Sequence, residues 1–257
     1  MSRVFLFFSM LALGFFFNAH AAPNAQAILA ASDLIRNPEK SFGLTVTLVE
    51  YKAGKQTDSN TIGIYSRPDA SNGQFRSLMR FIAPTRDTGK LMLKNGNDLW
   101  FYDPNSKSSI RLSPQQRLLG QAANGDVVTV NLAKDYHADI VGEEDVVDGD
   151  RQSKYCYKLS LAATSADVTY HRIDMWIEQA SSRPVKARFH AESGRLLKTV
   201  YYRRFQKQLG IERPTETIII DGLDPQWVTL MRYTDYAWRD VPEYWLQRDY
   251  LPRFQPE

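Results

Sequence analysis

The stretch Gly89–Leu112, GKLMLKNGNDLWFYDPNSKSSIRL, reads as three short strands joined by two turns. Asn95-Gly96 offers the positive-φ positions of a tight hairpin, and Asp103-Pro104-Asn105-Ser106 offers a second turn in which proline presets φ. Side chains alternate faces along a strand, so Leu91 and Leu93 share one face, while Leu99 and Phe101 lie opposite Trp100 and Tyr102. Both faces of the middle strand are therefore apolar. A sheet with one wet side shows polar residues at alternate positions, so here each side needs a cover, which points to a curved sheet with a lid or an apolar guest.

Upstream, Asn24–Arg36 repeats apolar residues at helical spacing through Ala27, Ile28, Ala31, Leu34 and Ile35. Asn24 is placed to cap its start, and Asn37-Pro38 ends it because a residue before proline avoids the α region. The period then changes to two. Phe42, Leu44, Val46 and Leu48 begin a strand, and Thr61–Ser66 and Gln74–Ile82 continue the pattern across the turn chemistry of Pro68-Asp69 and Asn72-Gly73.

Downstream, Ser113–Asp126 breaks the alternation, with Ser113-Pro114 able to start a short helix carrying Leu118 and Leu119. A segment of this length between strands reads as a lid or binding loop, or as a plain disordered connection. A second short helix is expected around Asn131–Asp135. Strands resume at Ala138–Gly142 and Gln152–Ala162, flanking a solvated acidic turn that holds Glu143-Glu144-Asp145, Asp148 and Asp150. Val168–Gln179, Pro184–Ala191, Arg195–Phe205, Pro214–Asp221 and Gln226–Tyr236 extend the ladder to roughly ten or eleven antiparallel strands. Along Tyr201–Phe205, alternation splits Tyr201, Arg203 and Phe205 from Tyr202 and Arg204. The tail from Val241 carries Tyr244, Trp245, Tyr250 and Phe254 among prolines and is expected to wrap the sheet as irregular chain, with partner binding the other reading.

Met1–Ala21 has the form of a signal peptide: Arg3, the apolar run Val4–Phe17, then Ala19-His20-Ala21 matching the A-x-A cleavage rule. The run is shorter than the roughly 20 residues of a spanning helix, so a membrane anchor is the weaker reading. The expectation is a cleaved, soluble periplasmic protein whose residues 22–257 form one domain with an aromatic extension from about 241. Losing Arg3 takes the net charge from +3 to +2, too even to imply nucleic acid. Cys156 is the only cysteine, so no internal disulfide forms, and its place in a strand pattern suits a buried thiol.

Catalytic chemistry is not visible. His137, His171 and His190 are far apart in sequence and fit no metal-ligand spacing, and no nucleophile elbow, phosphate loop or dinucleotide fingerprint occurs. No cofactor and no enzyme activity are expected.

The strand-and-turn series Leu91–Pro104 (LMLKNGNDLWFYDP), Ile110–Pro114 (IRLSP), Gly142–Asp150 (GEEDVVDGD), Tyr155–Leu161 (YCYKLSL) and Arg172–Phe205, behind one leading helix, resembles the outer-membrane lipoprotein-sorting (LolA-like) family. The resemblance spans roughly Ala27 to Tyr236 and implies an unclosed antiparallel half-barrel whose hollow, covered by short helices, holds acyl chains. It implies a monomeric periplasmic carrier of lipid or acylated lipoprotein, delivering its load towards the outer membrane and in some relatives serving an inner-membrane lipid exporter of the RND type. The same scaffold also suits a lipid-sensing regulator docked on a membrane protein. The aromatic C-terminal extension departs from the simplest carrier pattern. From the residues themselves, Ile28, Leu34 and Ile35 on the helix, Trp100 and Phe101 on the meander, and Leu118 and Leu119 on the insertion are the expected lining.

Overall fold

The computed structural model describes residues 23–255. The chain opens with α1 (Ala25–Arg36), whose N-cap Asn24 accepts from the Ala27 amide at 3.0 Å and whose C-cap is Asn37. Then come β1 (Phe42–Lys52), β2 (Lys55–Pro68), β3 (Phe75–Ala83), β4 (Leu91–Asn95), β5 (Asp98–Asp103) and β6 (Ser108–Arg111). An insertion follows, with the small hairpin β7 (Arg117–Leu119) and β8 (Ala122–Ala123) and the single turn α2 (Leu132–Asp135). The second arm is β9 (Tyr136–Val147), β10 (Ser153–Ala163), β11 (Arg172–Glu178), β12 (Pro184–His190), β13 (Leu196–Gln208), β14 (Ile211–Asp221) and β15 (Trp227–Trp238). Among the described residues no helix is long and apolar enough to cross a membrane.

Thirteen strands form one sheet in the order β6-β5-β4-β3-β2-β1-β15-β14-β13-β12-β11-β10-β9, every neighbouring pair antiparallel. Each arm is a plain meander, and the arms meet where β1 pairs with β15, from Phe42↔Trp238 to Lys52↔Trp227. The outer strands β6 and β9 are not paired with each other, so the sheet curls without closing. Its concave face carries the main core, with Val46 and Leu48 (β1), Ile62 and Ile64 (β2), Met92 (β4) and Leu99 (β5) facing Leu159, Ile173, Val200 and Ile219 from the other arm.

The meander forms three strands in the expected places, and the two-sided apolar pattern has its cause. Leu99 and Phe101 belong to the concave core, whereas Tyr102 and Trp100 join Leu78, Leu91 and Leu93 on the convex side. There the tail covers them with Val241, Trp245, Leu246 and Leu251, running through two 3-10 turns at Glu243–Leu246 and Arg248–Arg253. Trp245 meets Tyr65 and Phe254 edge-on at centroid distances of 5.5 and 5.0 Å, and Arg248 stacks over Trp100 at 4.1 Å.

Several expectations are corrected. The sheet has thirteen strands rather than ten or eleven. The first hairpin loop is Gly96-Asn97, because Asn95 pairs with Asp98 and only Gly96 takes a positive φ, 57°. The short helix around Leu118 and Leu119 is instead the β7–β8 hairpin: Gly120 turns at φ 53° and lies so close to Thr229 that a Cβ would sit 2.2 Å from its hydroxyl. Glu143-Glu144-Asp145 lies within β9 and not in a turn, Glu144 accepting from the Trp176 indole at 2.6 Å and Glu143 from the Tyr155 hydroxyl at 3.0 Å. β11 starts at Arg172, four residues later than expected, since Val168 and Thr169 line the cavity described below. In β13 the register with β14 runs unbroken from Arg203↔Glu216 to Phe205↔Pro214, while Arg204 between them takes φ 53° and the Phe205 ring packs against the main core. The leader Met1–Ala21 lies outside the described residues.

Candidate functional site

The hollow is covered by α1 and the insertion, and polar side chains hold that cover down. α1 buries Leu29, Ser32 and Asp33, not the Leu34 edge. Asp33 accepts from the Ala133 amide at 2.8 Å, at the start of α2, and pairs with Arg36. Asn37 donates to the Val130 carbonyl and to Asn131 Oδ1, both at 2.8 Å. Gln26 donates to the carbonyls of Ala133 (2.7 Å) and Tyr136 (3.0 Å) and accepts from the Ala138 amide, standing in for a strand partner at the free edge of β9. From the first arm, Gln74 donates to the Asn131 carbonyl at 3.1 Å and accepts its amide at 2.8 Å. At the opposite end Arg213, fully buried on β14, donates to the Leu34 and Ile35 carbonyls at 2.7 and 2.9 Å, satisfying the last turn of α1.

Beneath this cover lies a cavity of about 340 Å³. Its apolar wall comes from Leu99, Val128, Ile173, Phe189, Val200, Ile219 and Met231. Its mouth is ringed by the β2–β3 turn (Asp69, Asn72), the β4–β5 turn (Gly96, Asn97), α2 (Lys134, Asp135) and the β10–β11 connection (Ser165, Asp167). Asn97 donates to Asp167 at 3.1 Å, tying the two arms together across that rim. Deeper, Asp126 accepts from the Tyr170 hydroxyl (2.9 Å) and the Ala123 amide (2.7 Å) and pairs with Lys198, which lies over the Tyr170 ring at 4.6 Å. Burial lowers the Lys198 pKa despite the Asp126 charge, and burial raises those of Tyr136 and Tyr170. Asp135 at the mouth is also raised by burial, partly offset by hydrogen bonding to Gln74.

A family model described as "Uncharacterized protein" matches residues 73–253. The crystal structure of a LolA superfamily protein from Nitrosomonas europaea superposes with a TM-score of 0.80 at 34% identity, covering 89% of this chain and 100% of that one. The chain belongs to the LolA superfamily. Two further structures share the superfamily fold at lower identity. One is an outer membrane lipoprotein-sorting protein domain from Vibrio parahaemolyticus (TM-score 0.75, 17% identity, 89% of this chain and 98% of that one). The other is a DUF1329 family protein from Desulfovibrio piger (TM-score 0.74, 19% identity, 88% and 97%). No curated protein matches the sequence.

In this LolA superfamily member the residues expected to line the hollow are dispersed. Phe101 is on the concave face, edge-on to Phe81 at 6.2 Å, and Ile28, Leu118 and Leu119 pack into the same core. Ile35 is half-buried, while Leu34 is 49% exposed on the outer side of α1. Trp100 faces the other way, beneath the tail. None of the seven borders the 340 Å³ cavity. What sequence reasoning missed is the polar part of the site, Arg36, Asp126, Tyr170, Tyr202 and Tyr233; strand alternation had already placed Tyr202 opposite Tyr201, but nothing local said which face was concave. His190 bonds Asp174 at 2.9 Å, and burial pushes the Cys156 thiol up to about 12.

Proposed function

We propose that this LolA superfamily protein is a periplasmic carrier that binds an acyl chain of a lipid or lipoprotein in the covered hollow and delivers it towards the outer membrane. The observation that carries the reading is the cavity itself: a sheet curled around about 340 Å³, with an apolar stretch of inner wall, polar groups at its mouth, and a roof of helix and insertion that packs Leu29, Leu119 and Leu132 into the core and is tied down by hydrogen bonds. That volume is at the small end of the roughly 300–1,000 Å³ of ligand pockets, which suits a single chain. Each methylene moved from water to such a wall contributes about 0.8 kcal/mol, so a dozen give on the order of 10 kcal/mol before ordering costs. Non-directional binding of this kind needs no catalytic group. The full-length likeness to a LolA superfamily protein, and the fold shared with a lipoprotein-sorting domain, support the same reading. In this reading the carrier acts as a monomer and works with an inner-membrane exporter of the RND type.

Native mass spectrometry of protein recovered from the periplasm tests this. The expected result is a bound acyl lipid that a fluorescent fatty acid displaces. Protein that retains Met1–Ala21 and stays with carbonate-washed membranes, or that binds no acyl probe after delipidation, overturns the reading.

A further inference from the structure

A finer question, which rests on the carrier reading, is what the cavity asks of its ligand's head. Tyr202 pairs with Thr217 and Thr217 with Met231, so these three stand in a row across β13, β14 and β15 on the concave face, with Tyr233 two residues further along β15. The end of α1 places Arg36 over the same wall, and all five residues border the cavity. Their hydrogen bonds do not balance. Arg36 uses Nη2 on Asp33 and on the Val130 carbonyl, but its buried Nε has no partner. Tyr202 is 9% exposed, and its neighbours act on its hydroxyl only through burial and charge, with no hydrogen bond. The Tyr233 hydroxyl makes one hydrogen bond, to the Met231 thioether at 4.0 Å, with the Thr217 side chain beside it.

Burial raises the pKa of both phenols, Tyr233 to about 12, so both keep their protons at neutral pH and act as donors. The nearest carboxylates are already engaged. Asp33 serves Arg36 and the Ala133 amide, and Asp126 serves Lys198, Tyr170 and the Ala123 amide. One wall of the chamber thus presents the buried Arg36 Nε and the Tyr202 hydroxyl without a partner in the protein, next to a Tyr233 hydroxyl bonded only to a thioether, and buried donors are costly to leave unmatched.

We propose that Arg36, Tyr202 and Tyr233 form a head-group subsite for an sp² oxygen, the carbonyl of an acyl ester or the carboxylate of a free fatty acid. A pure hydrocarbon fills the apolar wall equally well but leaves Arg36 Nε and the Tyr202 hydroxyl unpaired and Tyr233 on its weak thioether acceptor. The subsite therefore selects oxygenated acyl lipids over alkanes of the same length.

The test is competition against a fluorescent fatty acid by palmitate, methyl palmitate and hexadecane, on the delipidated mature chain and on Tyr202→Phe and Tyr233→Phe, which remove one oxygen each and keep the ring. Palmitate and methyl palmitate are expected to compete about tenfold or more better than hexadecane, and each variant to lose roughly fivefold to tenfold towards the oxygenated pair alone. Palmitate ahead of its ester, with the gap closed by Arg36→Gln, assigns the carboxylate; parity of acid and ester assigns the carbonyl. Equal competition by all three, or variants that match the parent, overturns the subsite and leaves the carrier standing. Failure of the probe itself to bind overturns the carrier reading instead.

Discussion

The one sheet has two covers, and they are built differently. On the convex side of β2–β5, the tail seals its patch with large apolar side chains, Val241 and Leu246 fully buried and Trp245 wedged between Tyr65 and Phe254. On the concave side, α1 and the insertion are tied at their ends by Asp33, Asn37, Gln26 and Gln74, and a cavity stays open under them. Hydrophobic burial is non-directional and fills whatever space it can, whereas hydrogen bonds fix a distance and can hold a roof off its floor. Both covers bury apolar side chains, Leu29, Leu119 and Leu132 on the concave side, but only the concave one leaves a cavity beneath it and is joined to its neighbours by so many polar pins.

The largest effect should come from the glued cover. Trp245→Ala removes the centre of the convex cluster and is expected to cost about 3–5 kcal/mol in urea unfolding, as buried aromatic-to-alanine changes do, while the folded protein binds acyl probe as before. Equal loss of binding would break the contrast, because the tail would then also shape the hollow. A smaller stability change with a larger functional one is expected of the pinned cover. Asn37→Ala deletes two hydrogen bonds to the insertion and should cost about 1–2 kcal/mol, yet speed probe release. Hydrogen exchange sharpens the point: amides of Arg117–Gln121 should exchange faster than those of Trp245–Leu251 in the empty protein and slow when lipid is bound. Protection of Arg117–Gln121 that is the same with and without lipid would make the insertion fixed structure.

The smallest effect concerns the convex face beyond the tail, where charged side chains shield the sheet. Glu216, 1% exposed, is surrounded by Arg203, Arg204 and Arg232. Burial alone would raise its pKa, but the hydrogen bonds from Arg232 and Arg203 and the arginine charges outweigh it and hold the carboxyl below its usual 4.5. Its contribution to stability is therefore fully present above about 4.5 and lost as pH falls through the lowered folded value. Glu216→Gln should lower stability at neutral pH and flatten that segment of the acid unfolding profile, and salt should weaken only the share owed to Arg204 and Arg232, which are 57% and 50% exposed. An unchanged acid limb would place the acid sensitivity elsewhere.

The two covers were unequally legible in the sequence. The convex one follows from local signals: turns at Gly96 and Pro104 set the strands, alternation put Trp100 opposite Phe101, and an aromatic tail stood ready to cover the surplus face. The main α1 boundaries were equally plain, because Asn24 and Asn37-Pro38 act within one turn. The concave cover was not, for its pins join residues about a hundred positions apart, as Asp33 does with Ala133, and no periodicity encodes such a pair. Apolar spacing nominated Leu34 for the hollow, whereas the helix is rotated so that Ser32 and Asp33 face inward to meet α2. The β7–β8 hairpin was hidden for a similar reason: its turn is fixed by Gly120 lodging against Thr229 of β15, a contact that exists only once the sheet has curled.

The seam between β1 and β15 has a consequence in time. β1 is an inner strand of the finished sheet, but one of its two partners lies at the far end of the chain. A chain that arrives N-terminus first presents β1 well before β15, and until β15 follows one long edge of β1 has no mate. Pairings so distant in sequence are also slow to form once both strands exist. The first arm can complete its own meander early, but the two-armed trough is assembled last, by a single zipper of two strands. Whatever delays that zipper leaves an open β-edge in the middle of the protein.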